Sequence, residues 1–170
     1  MRLLLLSLLS GWIWLASSPG WAEEGGEKGQ SAAIAVIDFD YLDTSGEPRD
    51  QHKDHEARIR ALMAAIRGDL AKNAHFRVVT ANCGAEPCAS ELTRLDDLVA
   101  AARAAGASVM LIGGVHKMST LVQWAKIQAI DVKGERIMLE KLFTFRGDSD
   151  EAWRRAESFI AEELNALPQP

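Results

Sequence analysis

Ala32-Ala33-Ile34-Ala35-Val36-Ile37 runs apolar without alternation and ends in Asp38-Phe39-Asp40-Tyr41. A short unbroken apolar run bounded by polar residues suits a strand buried on both faces, as in a parallel sheet flanked by helices. Phe76-Arg77-Val78-Val79-Thr80 and Ser108-Val109-Met110-Leu111-Ile112-Gly113-Gly114-Val115 repeat the pattern downstream. Between them lie two helical stripes. Ile59, Leu62, Met63, Ile66 and Leu70 recur at spacings of three and four within about Lys53 to Asn73. Leu92, Leu95, Leu98, Val99 and Ala102 line a second helix, which Gly106 stops. Two right-handed crossovers then place the first strand between the second and third, all parallel.

The pattern changes after Ser119. Leu121 to Val132 and Glu135 to Phe145 read as two strands of a hairpin turning at Lys133-Gly134, with Leu139, Phe143 and Phe145 on one face. Ser149 or Asp150 caps a last helix whose buried stripe is Trp153, Ala156, Phe159, Ile160 and Leu164. Leu42 to Gln51, with Thr44-Ser45-Gly46 and Pro48, reads as a loop. The expected fold is α/β: a mixed five-stranded sheet of order 2-1-3-4-5, with parallel β-α-β-α-β followed by an antiparallel meander and a C-terminal helix. It occupies residues 32–167 as one domain.

Ahead of it, Met1 to Ala22 reads as a secretory signal. Arg2 supplies the positive start, Leu3 to Leu9 opens the apolar region, and Gly20-Trp21-Ala22 offers the small residues at which cleavage after Ala22 is expected. Residues 23–31 are expected to form a flexible leader. The implied compartment is the periplasm. The whole chain carries a formal net charge of -5, and removal of the signal takes away Arg2 and no acid. That balance argues against nucleic acid as a partner, and no segment beyond the signal is apolar enough for stable membrane insertion. Cys83 and Cys88, the only cysteines, are expected to be oxidised in such a compartment. Closing so short a ring stabilises by about 2 kcal/mol in a chain-entropy description.

Two resemblances extend this reading. The strand ending in Asp38-Phe39, the long amphipathic helix, Phe76-Arg77-Val78-Val79 and the run from Gly106 to Val115 are similar to the amino-terminal domain of the TolB family and related envelope accessory domains. Asp38 to Glu47, Gly113-Gly114-Val115-His116-Lys117-Met118-Ser119 and Arg146 to Arg155 more closely resemble an uncharacterised family of exported bacterial proteins, a domain of unknown function. The resemblances imply a fold and a compartment. They carry no catalytic residues.

The strongest site expectation comes from topology. If the first and third strands are parallel neighbours, the loops beyond Tyr41 and Val115 border one crevice where the strand order reverses, a favoured ligand position in open α/β sheets. Asp38, Asp40, Tyr41, Asp43, His116 and Lys117 are expected to converge there as a polar group not needed by the core. Asp40→Ala or Lys117→Ala should then spare the fold, whereas Ile34, Val36, Leu111 and Ile112 fill it. Asp38-Phe39-Asp40 also resembles the opening motif of haloacid dehalogenase-type phosphatases, with Thr80, Lys117 and Asp148 available for the remaining roles around Mg²⁺. Against that reading, Leu42 stands where a Thr is usual, Asp148 follows a hairpin, and the chain lacks a cap domain. His52 and His55 could share a helix face toward a transition metal, but spacing fixes no third ligand. Trp124 lies near the antiparallel edge, where a partner strand could add, and Trp153 fits the core stripe.

The expected function is therefore a non-enzymatic periplasmic accessory protein that binds another envelope or periplasmic protein. It needs no cofactor, metal or catalytic residue. The alternatives are a Mg²⁺-dependent phosphatase using Asp38 and Asp40, and a small-ligand binding module.

Overall fold

The computed structural model describes residues 31–84, 88–89 and 93–168. The signal read in Met1 to Ala22, nearly all of the leader, and Leu92 lie outside the described residues. In chain order the elements are β1 (Ala32–Val36), β2 (Asp40–Asp43), α1 (His52–Lys72), β3 (Phe76–Val79), α2 (Leu95–Ala104), β4 (Val109–Lys117), β5 (Val122–Asp131), β6 (Arg136–Arg146) and α3 (Asp150–Asn165).

They build one mixed sheet of order β3-β1-β4-β5-β6. β1 runs parallel to β3 and β4, while β4, β5 and β6 form the antiparallel meander. The five strands legible in the sequence take the expected neighbours. The correction is a sixth strand: β2, read as a strand end and loop, pairs parallel with β4 from Asp40↔Gly114 to Asp43↔Lys117. It does so because β4 continues two residues past Val115 and offers its edge beyond the end of β1.

The join between β1 and β2 decides which side chains go inward. Val36 lies opposite Leu111 and Asp40 opposite Gly114, four steps along one strand against three along its partner. The extra residue acts as a bulge and reverses the alternation. Even-numbered side chains of β1 (Ile34, Val36) join the core under α1 and α3; in β2 it is the odd-numbered Tyr41 that packs there. Phe39 fills the break, and its ring is the reason position 113 is glycine. A Cβ on Gly113 would stand 2.8 Å from that ring and 2.5 Å from the Lys126 carbonyl oxygen.

Two cores result. The larger lies between the sheet and the α1–α3 pair, around Ile34, Leu111, Ile127, Ile66 and Ile160. The smaller joins Ala35, Ile37 and Met110 to Leu98, Val99 and Ala102 of α2. Because α2 is short, it covers only the beginning of β4 on its side. Ile112, expected in the core, is therefore only half-buried. Leu95 and Phe159, both expected on buried stripes, are exposed at 52% and 38%. Trp153 is buried as expected. Gly106 ends α2 at φ 73°, and Ser149 caps α3 by accepting from the Ala152 N–H. Cys83 and Cys88 form the expected disulfide.

Candidate functional site

Pleating separates the six residues expected in one crevice. Successive side chains of a strand point to opposite faces, so the β2–β4 register sends Tyr41, Asp43 and Lys117 beneath α1 and turns Asp40 and His116 to the other face. Asp38 lies outside both strands, where Arg67 of α1 binds its carboxylate. No single crevice gathers them.

Lys117 is the main correction. It is 0% exposed and belongs to the interior, not to a polar border. Its ammonium has three donors and three acceptors: Asp148 Oδ2 at 2.7 Å, Glu47 Oε2 at 2.8 Å and Gln51 Oε1 at 3.0 Å. Asp43 adds a more distant carboxylate at 3.9 Å. Gln51 also donates its amide to Glu47, which locks the loop carrying both.

Asp148 is the second centre. A left-handed Gly147 (φ 92°) turns the chain between β6 and α3, a conformation that favours glycine. The Asp148 carboxylate meets Lys117 and, also at 2.7 Å, Nε2 of His55 through Oδ2. Its Oδ1 accepts from Arg58 at 2.9 Å and, at longer range, from Gln123 and Trp153. Burial opposes its ionisation, but the hydrogen bonds from Lys117 and His55 prevail and bring its pKa down to about 2. For Lys117 burial disfavours the charge, and the bonds to Asp148 and Glu47 outweigh it, so its pKa rises. His55, itself 2% exposed, stacks on Tyr41 with ring centroids 4.6 Å apart. Burial, followed by the charges of Asp43 and Asp148, raises the Tyr41 pKa, and its hydroxyl lacks a hydrogen-bond partner.

A cleft of about 520 Å³ borders this cluster, walled by Asp43, Glu47, Gln51, His52 and Glu56 among others. Its acids are engaged: Glu47 by Lys117, Asp43 by the Ser45 N–H, Glu56 by His52 and Arg60. His52 is exposed while His55 is buried against Asp148, so the two imidazoles do not share a site. Among the described residues no group of three or more His, Cys, Asp or Glu is disposed to hold a metal ion. The phosphatase constellation does not assemble either. Lys117 and Asp148 neutralise each other beneath α1, and Asp40 faces the opposite side of the sheet.

That opposite side holds the second candidate. Past the end of α2, the outer face of β2, β4, β5 and β6 forms a groove of about 460 Å³ with Gly113 and Gly114 in its lining. Leu42, Trp124 and Leu142 border it, exposed at 46%, 37% and 60%. His116 sits edge-on to Trp124, with centroids 6.2 Å apart, and its Nε2 lies 2.7 Å from Thr44 Oγ1. Asp40, Lys126 and Gln128 supply polar groups along it. Trp124 belongs to β5, an interior strand, so it offers a face and not an edge.

A family of unknown function (DUF2380), whose model is designated DUF3280, matches residues 32–164. The chain belongs to the DUF3280 family. The matched span takes in both the buried cluster and the open groove. No curated protein matches the sequence. Among solved structures, the hypothetical protein CT253 from Chlamydia trachomatis is similar with a TM-score of 0.54 at 8% identity, covering 81% of this chain and 98% of that one. The PelC dodecamer from Paraburkholderia phytofirmans is similar with a TM-score of 0.50 at 14% identity, covering 80% and 86%. TolB from Acinetobacter baumannii is similar with a TM-score of 0.48 at 15% identity, covering 79% of this chain and 27% of that one. Identities this low speak to the fold alone. No helix of the described residues is long and apolar enough to cross a membrane.

Proposed function

We propose that this DUF3280 member is a non-enzymatic accessory protein of the bacterial envelope that binds another periplasmic or envelope protein through the open face of its sheet. One observation carries the reading: exposed Leu42, Trp124 and Leu142 border a glycine-lined groove that no helix covers among the described residues. Contiguous apolar surface with polar groups at its margin is a mark of protein interaction sites, and Trp is a frequent anchor. The buried cluster of the other face favours the same reading, because Lys117, Asp148 and Glu47 are bonded to one another there. Asp40 and His116 then act as recognition groups beside Trp124, while Tyr41, Asp43 and Lys117 hold the scaffold.

The test is site-specific photo-crosslinking in cells that make the protein. A photoreactive residue in place of Leu42, which borders the groove away from β6, should give one dominant adduct with another envelope protein, and Trp124→Ala should abolish it. A probe at exposed Ala104, at the end of α2, should give none. Equal adducts from both positions, or an adduct indifferent to Trp124→Ala, would place binding elsewhere.

A further inference from the structure

Among the described residues the sheet has outer edges at β3, at β6 and at the four-residue β2, which pairs with β4 alone. β3 has four residues. β6 has eleven, free of proline and glycine, and among the described residues no backbone bonds to its outer side. An open strand is a row of unpaired N–H and C=O groups, which proteins usually blunt with short strands, proline or intruding charge. Here the central Lys141 is tied to Glu163 of α3 at 3.1 Å. Exposed apolar side chains stand on both sides of this edge: Leu142 on the open face, and Phe159 stacked on Phe143 at 4.6 Å on the helix face.

We propose that β6 pairs antiparallel with β6 of a second copy about a two-fold axis at Phe143, joining two sheets into one. The occupant and register follow from pleat and charge. Residues directly opposite must point to the same face, so the axis must pass through a residue and not between two. An axis at Glu140 opposes two glutamates. One at Lys141 opposes two lysines and sets Arg136 against Arg146. An axis at Leu142 leaves Glu140 facing Thr144 and Arg146 facing Met138. An axis at Phe143 sets Glu140 against Arg146 of the second copy twice. It also lays Lys141 over Phe145, Leu142 against Thr144, and the two Phe143 rings together on the helix face. Of these four, only this register matches opposite charges.

Sedimentation equilibrium of the purified protein tests it. The wild type should dimerise with rising concentration. Arg146→Glu and Glu140→Arg each turn two attractive pairs into two repulsive ones, so each alone should associate about tenfold more weakly or worse. Both positions are exposed, and circular dichroism checks that the variants fold. The decisive sample is an equal mixture of the two variants: each chain then meets its charge complement, and dimers should return as heterodimers. A wild type that is monomeric at every concentration overturns the proposal and leaves the edge to a strand of another protein. A dimer that ignores both substitutions, or a mixture that stays monomeric, overturns it equally.

Discussion

At the scale of single residues, burial separates side chains that look alike in sequence. Lys117 and Asp40 both sit at strand ends, and both read as polar groups the core does not need. Lys117 has no exposure and satisfies each ammonium hydrogen inside the protein. Removing it deprives Glu47 of its cation and leaves Asp148 only Arg58 and His55, and loss of one partner from a buried charge cluster costs about 3–5 kcal/mol in comparable cases. Lys117→Ala should therefore lower the urea midpoint severely, while Asp40→Ala, at a half-buried position on the open face, should lower it much less. Similar losses in both would mean that the two faces are not separated as described. Tyr41 gives a prediction of opposite sign. Its hydroxyl is buried and lacks a partner, so it bears a desolvation cost with no bond to offset it. Tyr41→Phe should be neutral or slightly stabilising in the same assay, and a loss above about 1 kcal/mol would reveal a bonded hydroxyl.

At the scale of elements, what the sequence revealed and what it hid have separate physical causes. Helices α1, α2 and α3 and strands β1, β3, β4, β5 and β6 were legible because periodicity and end signals agree in each: apolar spacing, Gly106 as a stop, Ser149 as a cap. β2 was hidden because four residues, two of them Asp, carry too little pattern to distinguish a strand from a loop. The bulge before it was hidden more deeply, since an added residue leaves the composition unchanged and only reverses which side chains point inward. Asp38, Asp40, Tyr41, Asp43, His116 and Lys117 are thus legible as a neighbourhood, while their division between the two faces of the sheet is not. Their strongest partners, His55, Glu47, Gln51 and Asp148, come from distant stretches that only the fold assembles. One trace of the bulge is legible in retrospect: glycine at 113 makes room for Phe39. Gly113→Ala should cost about 1–3 kcal/mol, because backbone and an aromatic ring would both have to shift. Gly68→Ala, on α1 where an added methyl meets nothing within 4 Å, should stabilise by about 0.5–1 kcal/mol through helix propensity. Thermal unfolding of the pair tests the argument, and a neutral Gly113→Ala would remove the steric reason for the break between β1 and β2.

At the scale of the whole molecule, the Lys117–Asp148 cluster is a joint rather than a local contact. It ties β2, the loop before α1, α1 itself, β4, β5 and the β6–α3 connection at one end of the sheet. The joint has a signature in acid. Asp148 has a pKa of about 2 in the folded protein against 3.8 as its ordinary value; hydrogen bonds from Ser45 outweigh burial and lower Asp43, and those from Lys117 lower Glu47. Between those two pH values the unfolded chain binds a proton at Asp148 that the folded chain refuses, so stability rises with pH across the window. The contribution is complete above the ordinary value and is lost as pH falls through the folded one. Asp148 alone should account for about 2 kcal/mol between pH 5 and pH 2, with Asp43 and Glu47 adding in the same direction. Urea unfolding followed across that range should show the decline in the wild type and a shallower one in Asp148→Asn, whose amide does not titrate. The variant will start lower, because Lys117 and His55 lose their shared anion, so the slope against pH is the quantity that decides. Equal slopes in the two proteins would show that Asp148 is not the group held ionised by the fold, and the joint would then have to rest on Glu47 and Asp43.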